Sequence, residues 1–156
     1  MSKWIQVQGT IKRGHQVASG QNNDPQFPGG TVRMQHDAFA QRGLDLSPYF
    51  PGTLNLSIHP HTYRVKKAIH TFRTVKWADH RPPEDFSFFD CRVIANSQPP
   101  TAGLIYYPHP DTKPMHFQDP STLELLMPFL DGLNYGDTLF LELNPQQIEI
   151  EIHENP

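Results

Sequence analysis

The segment YFPGTLNLSI, residues 49–58, joins a turn signal to a strand pattern. Its Pro-Gly pair is typical of a tight turn, and the residues after that pair alternate between polar and apolar. Such an alternation predicts a β-strand with one buried face and one polar face. The expected buried face consists of Leu54, Leu56 and Ile58, and the expected polar face consists of Thr53, Asn55 and Ser57. We therefore predict a domain built from half-buried β-strands.

Two oxygen-bearing side chains lie close together on that polar face. The hydroxyl of Thr53 and the amide of Asn55 are two residues apart and directly follow the turn, so both point to the same side. Hard oxygen ligands of this kind suit Mg²⁺, which completes its shell with water and with substrate phosphates. The residues alone leave two interpretations open: a magnesium site, or the ordinary polar face of a strand.

Length and composition favour one β-rich domain over residues 1–156. The chain contains 16 prolines and 10 glycines, while charged residues make up 19% and hydrophobic residues 37% of it. This mixture favours short strands joined by structured loops over long helices. The 2 tryptophans, 5 tyrosines and 10 phenylalanines argue against disorder, because aromatic side chains require burial.

Charge and cysteine content limit the classes of partner. A formal net charge of −3 gives no overall attraction to nucleic acid or to an anionic membrane, so the expected partner is a small molecule; the oligomeric state stays open. The single cysteine, Cys91, excludes an internal disulfide and suits a reducing compartment. Because the chain has neither a long apolar span nor a signal-peptide core, we expect a cytoplasmic protein.

The first predicted strand, residues 4–12, leads into a long loop without apolar periodicity. Residues 13–30 are rich in Gly, Pro, Asn and Asp, and small residues let backbone N–H groups approach an anion. Lys12 and Arg13 add positive charge at the start of this loop. The loop is therefore expected to bind an anion, and a glycine-rich turn without a ligand is the alternative.

The run Gly52-Thr53-Leu54-Asn55 resembles the GTLN signature of the archaeal CTP-dependent riboflavin kinases, which are cradle-loop β-barrels. The resemblance covers about residues 5–143 in the same order of elements. It implies a mostly β fold, a compact six-stranded cradle-loop barrel with one or two short helices. It also implies that Thr53 and Asn55 hold Mg²⁺ beside the phosphates of a CTP-like nucleotide, the phosphate donor.

The resemblance assigns further ligand contacts. In the family a threonine in a late loop and a glutamate in the following helix contact the flavin, and Thr112 and Glu124 correspond to them. Residues 123–128, LELLMP, resemble the family's apolar-Glu-apolar-apolar-Ala-Pro run. The two long loops, 14–30 and 108–119, are expected to border one cleft with Thr53 and Asn55. The residues expected to bind the nucleotide are Lys12, Arg13, Gly14, His15, Gln16, Val17, Ala18 and Ser19.

The remaining segments predict further strands and two short helices. The expected acidic face of the last hairpin is fully exposed. The predicted elements are a strand over Thr31–Met34, a helix over Asp37–Arg42 that stops at Gly43, strands over 68–79, 86–95 and 102–107, a helix that begins at Asp119-Pro120, and a terminal hairpin of 138–143 with 147–153.

The His59-Pro60-His61 run allows two interpretations. Two histidines at i and i+2 can chelate a metal from one face of a strand. Pro60, however, is expected to end the strand, and this favours exposed loop histidines.

Two classes of function are implied. The first is Mg²⁺-dependent phosphoryl transfer from a CTP-like nucleotide to a flavin or another small hydroxyl substrate. The second is a non-catalytic barrel that binds a phosphorylated or flavin-like ligand. Two departures from the family favour the second class: an arginine expected after residue 128 is absent, and Gln16 and Ala18 stand at glycine positions of the first loop.

Overall fold

The computed structural model describes residues 4–12, 31–50, 52–79, 81–95, 98–112, 119–130 and 132–153. Nine strands and one α-helix are assigned in these ranges. The strands are β1 Ile5–Lys12, β2 Leu54–Ser57, β3 Thr62–Val65, β4 His70–Val75, β5 Glu84–Ile94, β6 Thr101–Pro108, β7 Thr122–Leu126, β8 Thr138–Leu143 and β9 Ile148–Glu151; the helix α1 is Thr31–Ala40, and a 3₁₀ turn spans Pro110–Thr112.

Six of the strands form a closed antiparallel barrel in the order β5-β6-β7-β2-β1-β8, with β8 pairing back to β5. The long strand β5 makes closure possible, because its first half pairs with the additional strand β4 and its last residues pair with β8. Strands β3 and β9 form a separate two-stranded sheet. The predicted six-stranded β-barrel with a short helix is confirmed.

Alternating residues fill the barrel interior. Along β1, Val7 and Ile11 are buried while Gln6 and Gln8 are exposed, as the predicted alternation requires. Leu56 of β2 is completely buried within the same apolar cluster. The apolar faces predicted for the first strand and for the GTLN strand are confirmed, and the polar residues of β2 consequently point to the outside of the barrel.

A second apolar cluster lies on the outer face of the sheet, beneath α1. Phe39 of the helix is completely buried and packs edge-on against Phe86 at 5.0 Å and Phe88 at 5.1 Å between ring centroids. Such T-shaped pairs are favourable because the positive ring edge meets the negative ring face. The helix therefore covers the outer face of the barrel mainly at β5 and β6.

The predicted strand over Thr31–Met34 is wrong, and so are the predicted bounds of the following helix. Helix α1 runs continuously from Thr31 to Ala40. Its inward residues Val32, Gln35 and Phe39 are all buried and are spaced at i, i+3 and i+7, the period of a helix face. Gly43, the predicted stop, follows the helix with a φ of 98°.

The helix predicted to begin at Asp119 is also absent from the described chain, where β7 runs from Thr122 to Leu126 instead. The Asp119 carboxylate accepts hydrogen bonds from the Ser121 N–H at 2.9 Å and the Thr122 hydroxyl at 3.1 Å. An Asp-Pro pair suits a turn as well as a helix start. Leu123 and Leu125 then enter the core at the strand period of two.

The two terminal strands do not form the predicted hairpin. Strand β8 is already paired on both sides, with β1 and β5, so β9 pairs with β3 instead. The acidic face of β9 is not fully exposed, because Glu149 is half-buried and forms an ion pair with Arg64 of β3.

We predict that Gly103→Ala destabilises the barrel by about 1–3 kcal/mol. A Cβ atom at this position would lie 2.6 Å from the backbone oxygen of Leu126 and would clash with the sulfur of Met127. Because that oxygen belongs to the paired strand β7, the backbone would have to shift. Urea unfolding measures the effect, and Ala102→Ser on an exposed neighbour is the control; equal stability of the two variants would contradict the prediction.

The thiol of Cys91 is expected to be inert in the folded protein. Burial, and to a lesser extent the charge of Asp90, raises the pKa of Cys91 from its ordinary 9.0 to about 12, and only the thiolate reacts. A thiol reagent at pH 8 should therefore modify Cys91 only after unfolding.

The same shift predicts a pH dependence of stability. The unfolded thiol ionises near 9 and the folded thiol near 12, so the free energy of unfolding should fall as pH rises through this window. Urea unfolding at pH 8 and pH 10 tests this, with Cys91→Ala as the variant that lacks this contribution. An equal pH response of both proteins would contradict it.

Candidate functional site

The strand register aligns four polar residues in one row across the outer face of the barrel. Lys12 of β1 lies opposite Asn55 of β2, Asn55 lies opposite Glu124 of β7, and Glu124 lies opposite Tyr106 of β6. Residues directly opposite each other on antiparallel strands place their side chains on the same face. We call these four residues the polar row.

Thr53 and Asn55 lie beside Glu124 in this row. The Thr53 hydroxyl donates a hydrogen bond to the Glu124 carboxylate at 3.3 Å, and both groups are half-buried. Asn55, two residues after Thr53 and on the same face, lies directly opposite Glu124 in the strand register. Hydroxyl, amide and carboxylate groups, whose oxygens are hard ligands, therefore occupy neighbouring positions of one face, although 71 residues separate Thr53 from Glu124 in sequence.

The amide oxygen of Asn55 is buried and accepts no hydrogen bond from any residue in the described part of the chain. Buried polar atoms are nearly always paired, and an orphan of this kind requires an explanation. An uncompensated acceptor costs about 1–3 kcal/mol. A cation held between Thr53, Asn55 and Glu124 would compensate it, so the donor set fits the Mg²⁺ that the GTLN resemblance implies.

Charges of both signs lie at the Lys12 end of the polar row. The Lys12 ammonium is 4.0 Å from the carboxylate of Asp119, and both side chains are about half exposed. Lys12 precedes the first long loop and Asp119 ends the second. The described ends of the two loops are therefore close to each other, while the predicted common cleft of loops 14–30 and 108–119 lies mostly outside the described residues and stays a prediction.

Several of the predicted ligand contacts lie outside the described residues. Among them are Arg13, Gly14, His15, Gln16, Val17, Ala18 and Ser19, which stay predictions. The backbone of Thr112 lies in the 3₁₀ turn after β6. Glu124 is on strand β7 rather than on a helix, and this strand position brings it next to Thr53.

The Tyr106 end of the row is buried beneath α1. The Tyr106 hydroxyl donates a 2.7 Å hydrogen bond to the side-chain oxygen of Gln35, and both residues are buried. Burial, followed by the nearby charge of Glu124, raises the pKa of Tyr106 well above its ordinary value. Tyr106 is therefore a neutral phenol that fixes the sheet to the helix. Sequence reasoning missed Tyr106 and Gln35; the only available signal was the helical spacing of Gln35.

The two histidines of residues 59–61 lie between β2 and β3, where His59 is exposed and the His61 side chain contacts the protein. The Nδ1 atom of His61 accepts a hydrogen bond from the backbone N–H of His153 at 3.1 Å, and His153 in turn contacts the Thr62 hydroxyl at 3.0 Å. Within the described ranges, no group of three or more His, Cys, Asp or Glu residues is arranged to hold a metal ion. These contacts agree with the interpretation of His59 and His61 as loop histidines.

Comparisons with protein-family models and with curated proteins found no relative. No protein-family model matches the chain, and no curated protein matches it. The part of the chain that the structure describes contains no helix of sufficient length and apolar character to cross a membrane.

Proposed function

We propose that the polar row binds a phosphorylated small molecule, a CTP-like nucleotide, together with Mg²⁺. The observation that carries this proposal is the buried amide oxygen of Asn55, which has no hydrogen-bond partner among the described residues and lies on the same face as the Thr53–Glu124 hydrogen bond. Thr53, Asn55 and Glu124 would hold the metal, which would supply neutralisation of phosphate charge. Lys12 would contact a phosphate directly.

The charges of the site explain why a metal would be needed. The described charged groups at the row are Lys12, Asp119 and Glu124, and Lys12 is already close to Asp119. A phosphate placed next to Glu124 without a cation would be repelled, because like charges a few ångströms apart disfavour each other. Phosphate binding and Mg²⁺ binding should therefore each depend on the other.

The leading activity is phosphoryl transfer to a flavin or another small hydroxyl substrate, in a cytoplasmic setting. The acceptor oxygen would bond to the terminal phosphorus as the bond to the leaving phosphate oxygen breaks. In such reactions the protein contributes mainly positioning and charge stabilisation. Glu124 is the carboxylate of the row and would accept the proton of the acceptor hydroxyl as that bond forms.

A barrel that binds the ligand without transfer is the second candidate. The observation in its favour is the location of the arginines in the described chain: Arg64, Arg73, Arg81 and Arg92 are each paired with a carboxylate of a strand other than β7. The other two, Arg33 and Arg42, are exposed residues in and directly after α1. A charge-assisted contact to phosphate is worth about 1.5–3 kcal/mol. Because none of these described arginines belongs to the polar row, stabilisation of the transferring group would rest on Lys12 and the metal, with Arg13 of the first loop as a further predicted cation.

The exchange of Asn55 for leucine tests the site. Asn55→Leu keeps a similar side-chain volume and removes the unpaired acceptor, so the ligand-free protein should be as stable as the wild type or more stable, by up to about 1–3 kcal/mol. Magnesium-dependent binding of CTP in calorimetry should be lost. This combination of retained stability and lost binding is the signature of a functional polar residue.

Ser57→Ala is the matched control, because Ser57 lies on the same strand and face, two residues from Asn55, and should leave binding intact. Unchanged CTP binding by Asn55→Leu would remove Asn55 from the site. A large loss of stability in this variant would assign the amide a structural role.

A turnover assay separates the two candidates. Riboflavin and Mg²⁺ are supplied with CTP, ATP and GTP in turn, and flavin mononucleotide is measured. Because a missing phosphate contact reduces rate by about one to two decades, we expect weak turnover or none, while a thermal-shift assay detects binding of a phosphorylated or flavin-like compound. Rapid turnover would reject the binding-only candidate, and absence of stabilisation by every compound would reject both.

A further inference from the structure

An exposed pair of phenylalanines lies at one end of the barrel. Phe50 is 43% and Phe129 is 72% exposed, and their ring centroids are 6.1 Å apart. The backbone N–H of Phe50 donates a 2.9 Å hydrogen bond to the carbonyl of Met127, which ties the two segments together. The pair is therefore a fixed feature of two neighbouring segments and not the chance approach of two separate side chains.

The position of the pair relates it to the polar row. Leu54 of β2 pairs with Leu125 of β7, so Phe50 approaches from the residues before β2 and Phe129 follows the end of β7. Phe50 precedes Thr53 by three residues, a span of at most about 11 Å. Along the direction of β2 the aromatic pair comes first and is followed by Thr53, whose hydroxyl bonds to Glu124. Asn55, which lies opposite Lys12, comes next.

Exposure alone is a weak argument, because single exposed apolar side chains are common on protein surfaces. Two features make this pair informative: the rings lie against each other, and Phe50 is only three residues from Thr53, at the half-buried polar row. Aromatic side chains of this kind stack against nucleobases and other planar rings, largely independently of ring identity. The ring of a ligand would thus meet the phenylalanine pair while the phosphates of the same ligand meet the polar row.

We propose that Phe50 and Phe129 form a stacking platform for the planar ring of the ligand whose phosphates bind at the polar row. This inference rests on the proposed function of that row. Phe129 is the more exposed ring and would contribute the larger stacking surface. The platform would give the site a preference for ring-bearing phosphates over inorganic ones.

The experiment compares CTP with inorganic pyrophosphate, each with Mg²⁺, in calorimetric titrations of the full chain. For Phe129→Ala we expect CTP affinity to fall by roughly 5- to 100-fold, the effect of losing one stacking ring, with pyrophosphate affinity unchanged. Phe129→Trp should restore CTP binding. Phe140→Ala is the control, because Phe140 has the same exposed fraction as Phe50, 43%, but lies within β8 and outside this pair.

The outcomes separate the platform from the site on which it rests. An equal loss of CTP and pyrophosphate binding in Phe129→Ala, or no loss of either, overturns the platform and leaves the polar row standing. Absence of wild-type binding to both compounds overturns the proposed function and the platform with it. A change in sedimentation of Phe129→Ala with unchanged CTP affinity would assign the pair to self-association instead, and would also overturn the platform.

Discussion

Pairing of β8 with both β1 and β5 closes the sheet, and the position of the polar row depends on this closure. A closed barrel has a single interior, which here is filled by aliphatic and aromatic side chains. Polar residues of the same strands must then point outward, since an unpaired polar group inside would cost several kcal/mol. Asn55 and Glu124 are consequently on the outer face, between Tyr106, which is covered by α1, and Lys12, which lies at the start of the first long loop.

The outer face of a barrel is normally wet, and α1 changes this locally. Its residue Phe39 packs on Phe86 and Phe88, and Gln35 binds the Tyr106 hydroxyl. This cover withdraws part of the polar row from water. The Asn55 oxygen is buried as well, although it lies outside the barrel core, and electrostatic interactions are stronger in such a partly dry place than in water.

The parts of this structure that the sequence predicts are those in which the signal is local. The alternation in β1 and β2 is local, because each residue's face follows from its neighbours. Helix α1 was misread because its buried face includes a polar residue, Gln35, which weakens the helical hydrophobic pattern. Glu124 was placed on a helix because an Asp-Pro pair precedes it, whereas alternating Leu123 and Leu125 determine a strand.

The site itself was predictable only in part. Thr53 and Asn55 are neighbours in sequence, so their shared face could be read directly. Their approach to Glu124 depends on β2 pairing with β7, and the link from Tyr106 to Gln35 likewise bridges 71 residues. Such pairings are set by the topology of the whole sheet, and no local pattern encodes them. The GTLN resemblance supplied Glu124 as a candidate without the correct element for it.

The two ends of the polar row differ in a way that bears on how a ligand would enter. At the Tyr106 end a buried hydrogen bond fixes the sheet to α1, and Glu124 is further held by Thr53. At the Lys12 end the ion pair with Asp119 is long and half exposed, and exposed pairs of this kind contribute little to stability. A phosphate could therefore replace Asp119 as the partner of Lys12 at small cost, while the oxygen ligands stay in place. One fixed end and one exchangeable end would allow the proposed site to accept an anion without reorganising Thr53, Asn55 and Glu124, and such preorganisation limits the entropy lost on binding.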